Sequence, residues 1–139
     1  MGKAVRTYFN PRRQEVSQGQ LLVDLYDGAL RYLQQARDQM VAQKYAARNM
    51  LFNRALEILD ELTRSIDVHS GSDLAVKLNN LYLLCSARLL RANQRMSVED
   101  LDSVVTILSR LRAAYAKFPA VVQKQFSCDA TQRLVENGG

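Results

Sequence analysis

The side chains that carry most enzyme chemistry are scarce here. The chain of 139 residues has one histidine, His69, and two cysteines, Cys85 and Cys128. His69 lies in Asp67-Val68-His69-Ser70-Gly71-Ser72, a stretch that breaks the surrounding apolar pattern. A lone loop histidine is usually a solvated polar residue. A phosphate-accepting histidine would sit on a helix face with a lysine nearby, and His69 has neither setting. Carboxylate-bridged di-iron bundles need Glu and Glu-x-x-His turned inward from the helices, and no glutamate has that companion. Two cysteines give neither a disulfide framework nor metal-ligand spacing. Cys85, inside an apolar run, reads as a core thiol. Glycine-rich phosphate loops and nucleophile elbows are absent. The residues predict no catalytic site, no metal and no cofactor.

The elements that carry these residues are helices. The two prolines are Pro11 and Pro119, and between them stand only three glycines, Gly19, Gly28 and Gly71. A β-rich fold needs turns every ten residues or so, and turns draw on Gly and Pro. Four amphipathic segments remain: about Gln18–Met40, Lys44–Ile66, Asp73–Arg95 and Ser97–Phe118. Ser17, Ser72 and Ser97 are candidate N-caps, and Glu99 and Asp100 suit the positive start of the last helix. Pro119 ends the pattern, and residues 120–135 allow a short further helix. Short connections make consecutive helices antiparallel. The expectation is an all-α protein, an antiparallel four-helix bundle over residues 17–118. A flexible basic N-terminal arm (1–16) precedes it, and a C-terminal tail (119–139) follows.

Each segment carries an apolar stripe at alternating spacings of four and three. The stripes are Leu22, Tyr26, Ala29, Leu33, Ala36 and Met40; Phe52, Ala55, Leu59, Leu62 and Ile66; Leu74, Leu78, Leu81, Cys85, Leu89 and Ala92; and Leu101, Val104, Leu108, Leu111, Tyr115 and Phe118. Two helices have more apolar surface than one core requires. On the third, Val76, Leu83, Ala87 and Leu90 form a second stripe on a different face. On the first, Leu21, Leu25, Gly28 and Tyr32 flank the core stripe on one side, and Val23, Leu30 and Val41 on the other. A surplus apolar stripe on a small protein marks a binding surface, unless the chain's own tail or a second subunit covers it.

Some polar and small residues in these helices also need an account. Gly28 sits mid-helix, where glycine costs about 1 kcal/mol relative to alanine. It permits either close helix approach or passage of a bound peptide. Asp27 beside it reads as solvated, or as a holder of a partner's backbone or of the N-terminal arm. Asn79, Asn80 and Asn93 are poor interior helix residues. An amide beside an apolar groove can hydrogen-bond an incoming backbone, although most such residues are simply exposed.

Formal net charge is +5, of which Lys3, Arg6, Arg12 and Arg13 supply +4. The body is nearly neutral, which argues against a nucleic-acid face. No apolar run approaches the roughly 20 residues that span a membrane, and no signal peptide is visible. The location expected is the cytoplasm.

At this point the residues resemble the flagellar secretion chaperone FliS family. Leu21-Leu22-Val23-Asp24-Leu25-Tyr26-Asp27-Gly28-Ala29-Leu30-Arg31-Tyr32-Leu33 is similar to its first-helix signature, and Val16-Ser17-Gln18-Gly19-Gln20 to the lead into it. Ser65-Ile66-Asp67 resembles its Ser-Leu-Asp at the end of helix two. Leu81-Tyr82 and Arg88-Leu89-Leu90-Arg91-Ala92-Asn93 resemble its third helix. Leu108, Leu111, Arg112, Ala114 and Tyr115 fit its fourth, where the family often has Trp in place of Tyr115. The likeness spans residues 8–118.

The resemblance implies a cytoplasmic, non-catalytic export chaperone. Such a protein binds the C-terminal segment of flagellin, prevents premature polymerisation and helps deliver flagellin to the flagellar export apparatus. It leaves open further contact with the export gate and with a co-chaperone or regulatory protein. It also implies an N-terminal arm that covers part of the client surface, here through Tyr8 and Phe9. The candidate contact set is Leu25, Tyr26, Gly28, Tyr32, Val76, Asn79, Leu83, Ala87 and Leu90. The protein is expected as a monomer or weak dimer, with no nucleic acid and no membrane insertion. The alternative is a self-associating helical adaptor without a flagellin client.

Overall fold

The computed structural model describes residues 18–67, 69 and 71–117. Four helices make up these residues: α1 Gln18–Val41, α2 Arg48–Ser65, α3 Asp73–Arg95 and α4 Val98–Lys117. The expected arm, the tail with its short helix, Phe118, Cys128, and Tyr8 and Phe9 lie outside the described residues.

Local chemistry sets the helix ends. Ser72 caps α3 by accepting a hydrogen bond at its Oγ from the Ala75 amide, at 3.3 Å. Gly71 just before it has φ +78°, a backbone state open to glycine without a side-chain penalty. At the far end of α3, Met96 takes the left-handed conformation, and the Ser97 amide donates to the Ala92 carbonyl at 3.0 Å. Ser97 Oγ then accepts from the Asp100 amide at 3.1 Å and starts α4. Two residues thus reverse the chain and hold α3 and α4 antiparallel.

The second helix starts later than its sequence pattern predicts, at Arg48 rather than about Lys44. Gln43 is left-handed at φ 57°, and the Lys44 amide bonds back to the Gln39 carbonyl. The following turn closes through the Arg48 amide on the Tyr45 carbonyl. Residues 42–47 are therefore a connection, not a first helical turn.

Around the bundle, α1 packs on α2 and α4, and α3 packs on the same two neighbours. The core holds the expected stripe of α1 and that of α2 in full. On α3 the buried line is shifted. Ala75 and Tyr82 are buried with Leu78, Cys85, Leu89 and Ala92, whereas Leu74 and Leu81 are only partly buried. Leu101, Val104, Leu108 and Tyr115 come from α4, with Leu111 at the margin.

Candidate functional site

Charged pairs fix which side of each helix faces which neighbour. Asp27 on α1 receives two hydrogen bonds from Arg112 on α4, Nε at 2.7 Å and Nη2 at 3.3 Å. Arg37 on α1 holds Asp102 on α4 in the same way, at 2.8 and 3.4 Å. Asp27 is therefore more than the solvated residue that the sequence suggests: half-exposed, it ties two helices together. The edge of α1 that carries Asp27, Leu30 and Arg37 turns toward α4. The opposite edge, with Leu21, Leu25, Gly28 and Tyr32, turns toward α2.

That geometry corrects the reading of α1. Leu21, Leu25 and Gly28 are buried, and Leu25 belongs to the central core. The wide apolar arc exists because α1 is flanked by two helices, each of which covers one side of it. Tyr26 is also fully buried, and its phenol hydrogen-bonds that of Tyr82 on α3. Leu25, Tyr26 and Gly28 have no accessible surface to offer a client. Tyr32 alone of the α1 candidates is half-buried.

The Tyr26 ring lies 6.4 Å from both Tyr82 and Tyr115, tilted to each. Burial pushes the Tyr26 and Tyr82 phenols well above the usual range. Burial likewise raises Tyr115 to about 12 and the Cys85 thiol to about 11, the latter opposed by the Arg88 charge. These groups stay neutral at physiological pH and serve packing. Among the described residues no group of three or more His, Cys, Asp or Glu side chains could hold a metal ion. His69 is exposed in the α2–α3 connection.

The candidates on α3 have the opposite character. Val76, Leu83 and Leu90, seven residues apart, are 47%, 53% and 52% exposed. Ala87 is exposed between the last two. Leu84, outside the sequence-derived set, is exposed one position from Leu83 and widens the strip. Asn93 Nδ2 donates to Asn49 Oδ1 on α2 at 3.0 Å, and Arg88 reaches Ser103 on α4 at 2.5 Å. These two contacts mark the α2 edge and the α4 edge of α3. Asn79 stands two heptads before Asn93, half-buried on the α2 edge beside the strip. The result is an apolar ridge along α3, bordered by an amide and open to solvent.

The family model described as "Flagellar protein FliS" matches residues 1–122. The chain belongs to the FliS family. Among relatives, the flagellar secretion chaperone FliSB of Pseudomonas aeruginosa is 31% identical over 91 residues, 66% of this chain and 72% of that protein. The flagellar secretion chaperone FliS of Salmonella typhimurium is 31% identical over 97 residues, 69% of this chain and 72% of its own length. That of Escherichia coli is 29% identical over 111 residues, 77% of this chain and 82% of that protein. Among the described residues no helix is long and apolar enough to cross a membrane.

Proposed function

We propose that this protein is a non-catalytic export chaperone. It binds the C-terminal segment of flagellin in the cytoplasm, holds it back from polymerising and assists its delivery to the flagellar export apparatus. The observation that carries the reading is the open α3 strip of Val76, Leu83, Ala87 and Leu90, which repeats along one helix away from the core line. A client that is disordered before assembly must recover its ordering entropy from a long apolar contact. Side chains repeating every seven residues offer a continuous ridge to such a segment, and Asn79 offers an amide to its backbone. Tyr32 is the remaining α1 contact consistent with its accessibility. Family membership supports the same reading, since the relatives above are named flagellar secretion chaperones.

The test is calorimetry with a peptide from the C-terminus of the host's flagellin. Leu83→Asp, checked for helicity by circular dichroism, is expected to weaken binding at least tenfold while the bundle stays folded. A folded Leu83→Asp protein with unchanged affinity rejects this surface. A stable dimer that ignores the peptide rejects the chaperone reading in favour of a self-associating adaptor.

A further inference from the structure

Residues 118–139 follow α4 directly, and the bundle sets where they start. α3 and α4 run antiparallel in a register marked by Arg91 on Asp100 and Arg88 on Ser103. Carried down the pair, that register sets Lys117 level with Leu74, within a turn of Val76. The tail therefore departs at the Val76 end of the α3 strip. Pro119 does not continue a helix easily. Residues 118–120, drawn out, span about 10 Å, which is about the spacing of packed helix axes. That step carries the chain from α4 onto the outer face of α3. Leu84, 41% exposed and one turn before Arg88, widens the strip on the α4 side.

The tail has the length and the pattern to cover this strip. From Val76 to Leu90 the strip runs about 21 Å along the helix axis. Residues 120–135, as a helix, run about 24 Å. Their sequence sets Val122, Phe126, Ala130 and Leu134 on one helical face, at a spacing of four. Gln125, Asp129, Gln132 and Glu136 share another face. A single amphipathic helix of this length is marginal in water until its apolar face is buried. A helix that leaves α4 at the Val76 end and turns back runs beside α3 toward Leu90. The two apolar lines then lie alongside each other over their whole length.

We propose that residues 120–135 fold back as a helix on the outer face of α3 and hold the strip until a client displaces them. Phe126 and Ala130 cover Leu83, Leu84 and Ala87, and Leu134 reaches Leu90. A bare apolar strip invites association between copies; the tail shields it and yields to a longer apolar segment. The displacement half of this inference rests on the flagellin-binding reading, and the tail contact itself does not.

The test uses the full chain, labelled with ¹⁵N, with a nitroxide on Cys128. Cys85 is buried, so the thiol reagent takes Cys128. On a helix Cys128 stands on the face opposite Phe126, so the label leaves the apolar face intact. Paramagnetic broadening is expected to be strongest at the amides of residues 80–87, and excess flagellin C-terminal peptide is expected to relieve it. The Phe126→Asp/Leu134→Asp pair is expected to abolish the broadening. It is also expected to tighten peptide binding at least about threefold, the gain from removing a competing occupant. Leu84→Asp is expected to weaken the broadening from the bundle side. Broadening that is absent, or centred on α1 or α2, overturns the proposal, as does a peptide that binds the parent and the tail variant equally. A mixture of nitroxide-bearing chain at natural isotope abundance and nitroxide-free ¹⁵N chain is expected to show no broadening. Broadening there overturns the proposal, because the occupant is then a second copy. If the broadening is as expected but no peptide binds, the tail contact stands and the flagellin reading falls.

Discussion

The phenols of Tyr26 on α1 and Tyr82 on α3 are hydrogen-bonded to each other across the bundle, with no exposure to solvent. The pair joins two helices that sit diagonally in the ring of four. Each hydroxyl satisfies the other where no water reaches, which is the condition for a buried polar group to be tolerated.

This pairing sets an asymmetry between single and double substitutions. Tyr26→Phe leaves the Tyr82 hydroxyl buried and unpaired, at a cost of about 1–3 kcal/mol. Tyr82→Phe is expected to behave alike. The double variant is expected to lose less than the sum of the singles, since neither orphan remains. Urea denaturation of the four proteins in a double-mutant cycle measures the coupling. Additive losses would mean that the hydroxyls do not pair.

Tyr115 behaves differently. Its hydroxyl is buried with no hydrogen-bond partner. Tyr115→Phe removes an unsatisfied group and keeps the ring against Tyr26, so it is expected to be neutral or to stabilise by up to about 1 kcal/mol. A loss above that in urea melts would reveal a partner for the hydroxyl.

Leu25 and Leu83 are the same residue type on opposite sides of the boundary between core and surface. Leu25→Ala opens a cavity and is expected to cost about 2–5 kcal/mol. Leu83→Ala is expected to stay within about 0.5 kcal/mol of the parent. Equal losses would contradict the burial pattern. Leu83→Ala is also expected to weaken flagellin-peptide binding, whereas Leu25→Ala acts only through folding.

Alkaline pH is expected to unfold the bundle through its buried acids. In the unfolded chain a thiol ionises near about 8.5 and a phenol near about 10. In the native state Cys85 keeps its proton to about 11 and Tyr115 to about 12, both because of burial. Between those limits the unfolded state has released protons that the folded state retains, so stability falls as pH rises. Urea midpoints are expected to be flat from pH 7 to 8 and to decline from about pH 8.5 upward. Cys85→Ala is expected to flatten the first part of that decline. Its absence from the parent protein would show that the thiol is not protected.

The sequence carried the helix pattern well because helix ends and stripes are local. Ser72 and Ser97 act within three residues of themselves, and both caps form as their positions suggest. The α2 start departs from the sequence pattern because Lys44–Ala47 continues a helix-compatible composition. The left-handed Gln43 and the Tyr45–Arg48 turn that interrupt it leave no Gly or Pro behind. The α3 ridge was legible because Val76, Leu83 and Leu90 repeat at seven, away from the core line. The exposure of Val41, Tyr45, Met50 and Met96 was not, since two stand in helices and two in connections and they share no periodicity.

The sequence by itself determined four helices, their order, the serine caps of α3 and α4, and the family. Each of these follows from residues close together in the chain or from a motif read in line. Only the tertiary structure decided what the apolar surplus means. A hydrophobic arc looks the same in sequence whether a neighbouring helix or solvent covers it. On α1 the neighbours are α2 and α4, so Leu25, Tyr26 and Gly28 became interior. On α3 nothing among the described residues buries Val76, Leu83 and Leu90, so the same kind of surplus remained at the surface. Burial is a property of the pair of surfaces that meet, and a single helix encodes only one of them.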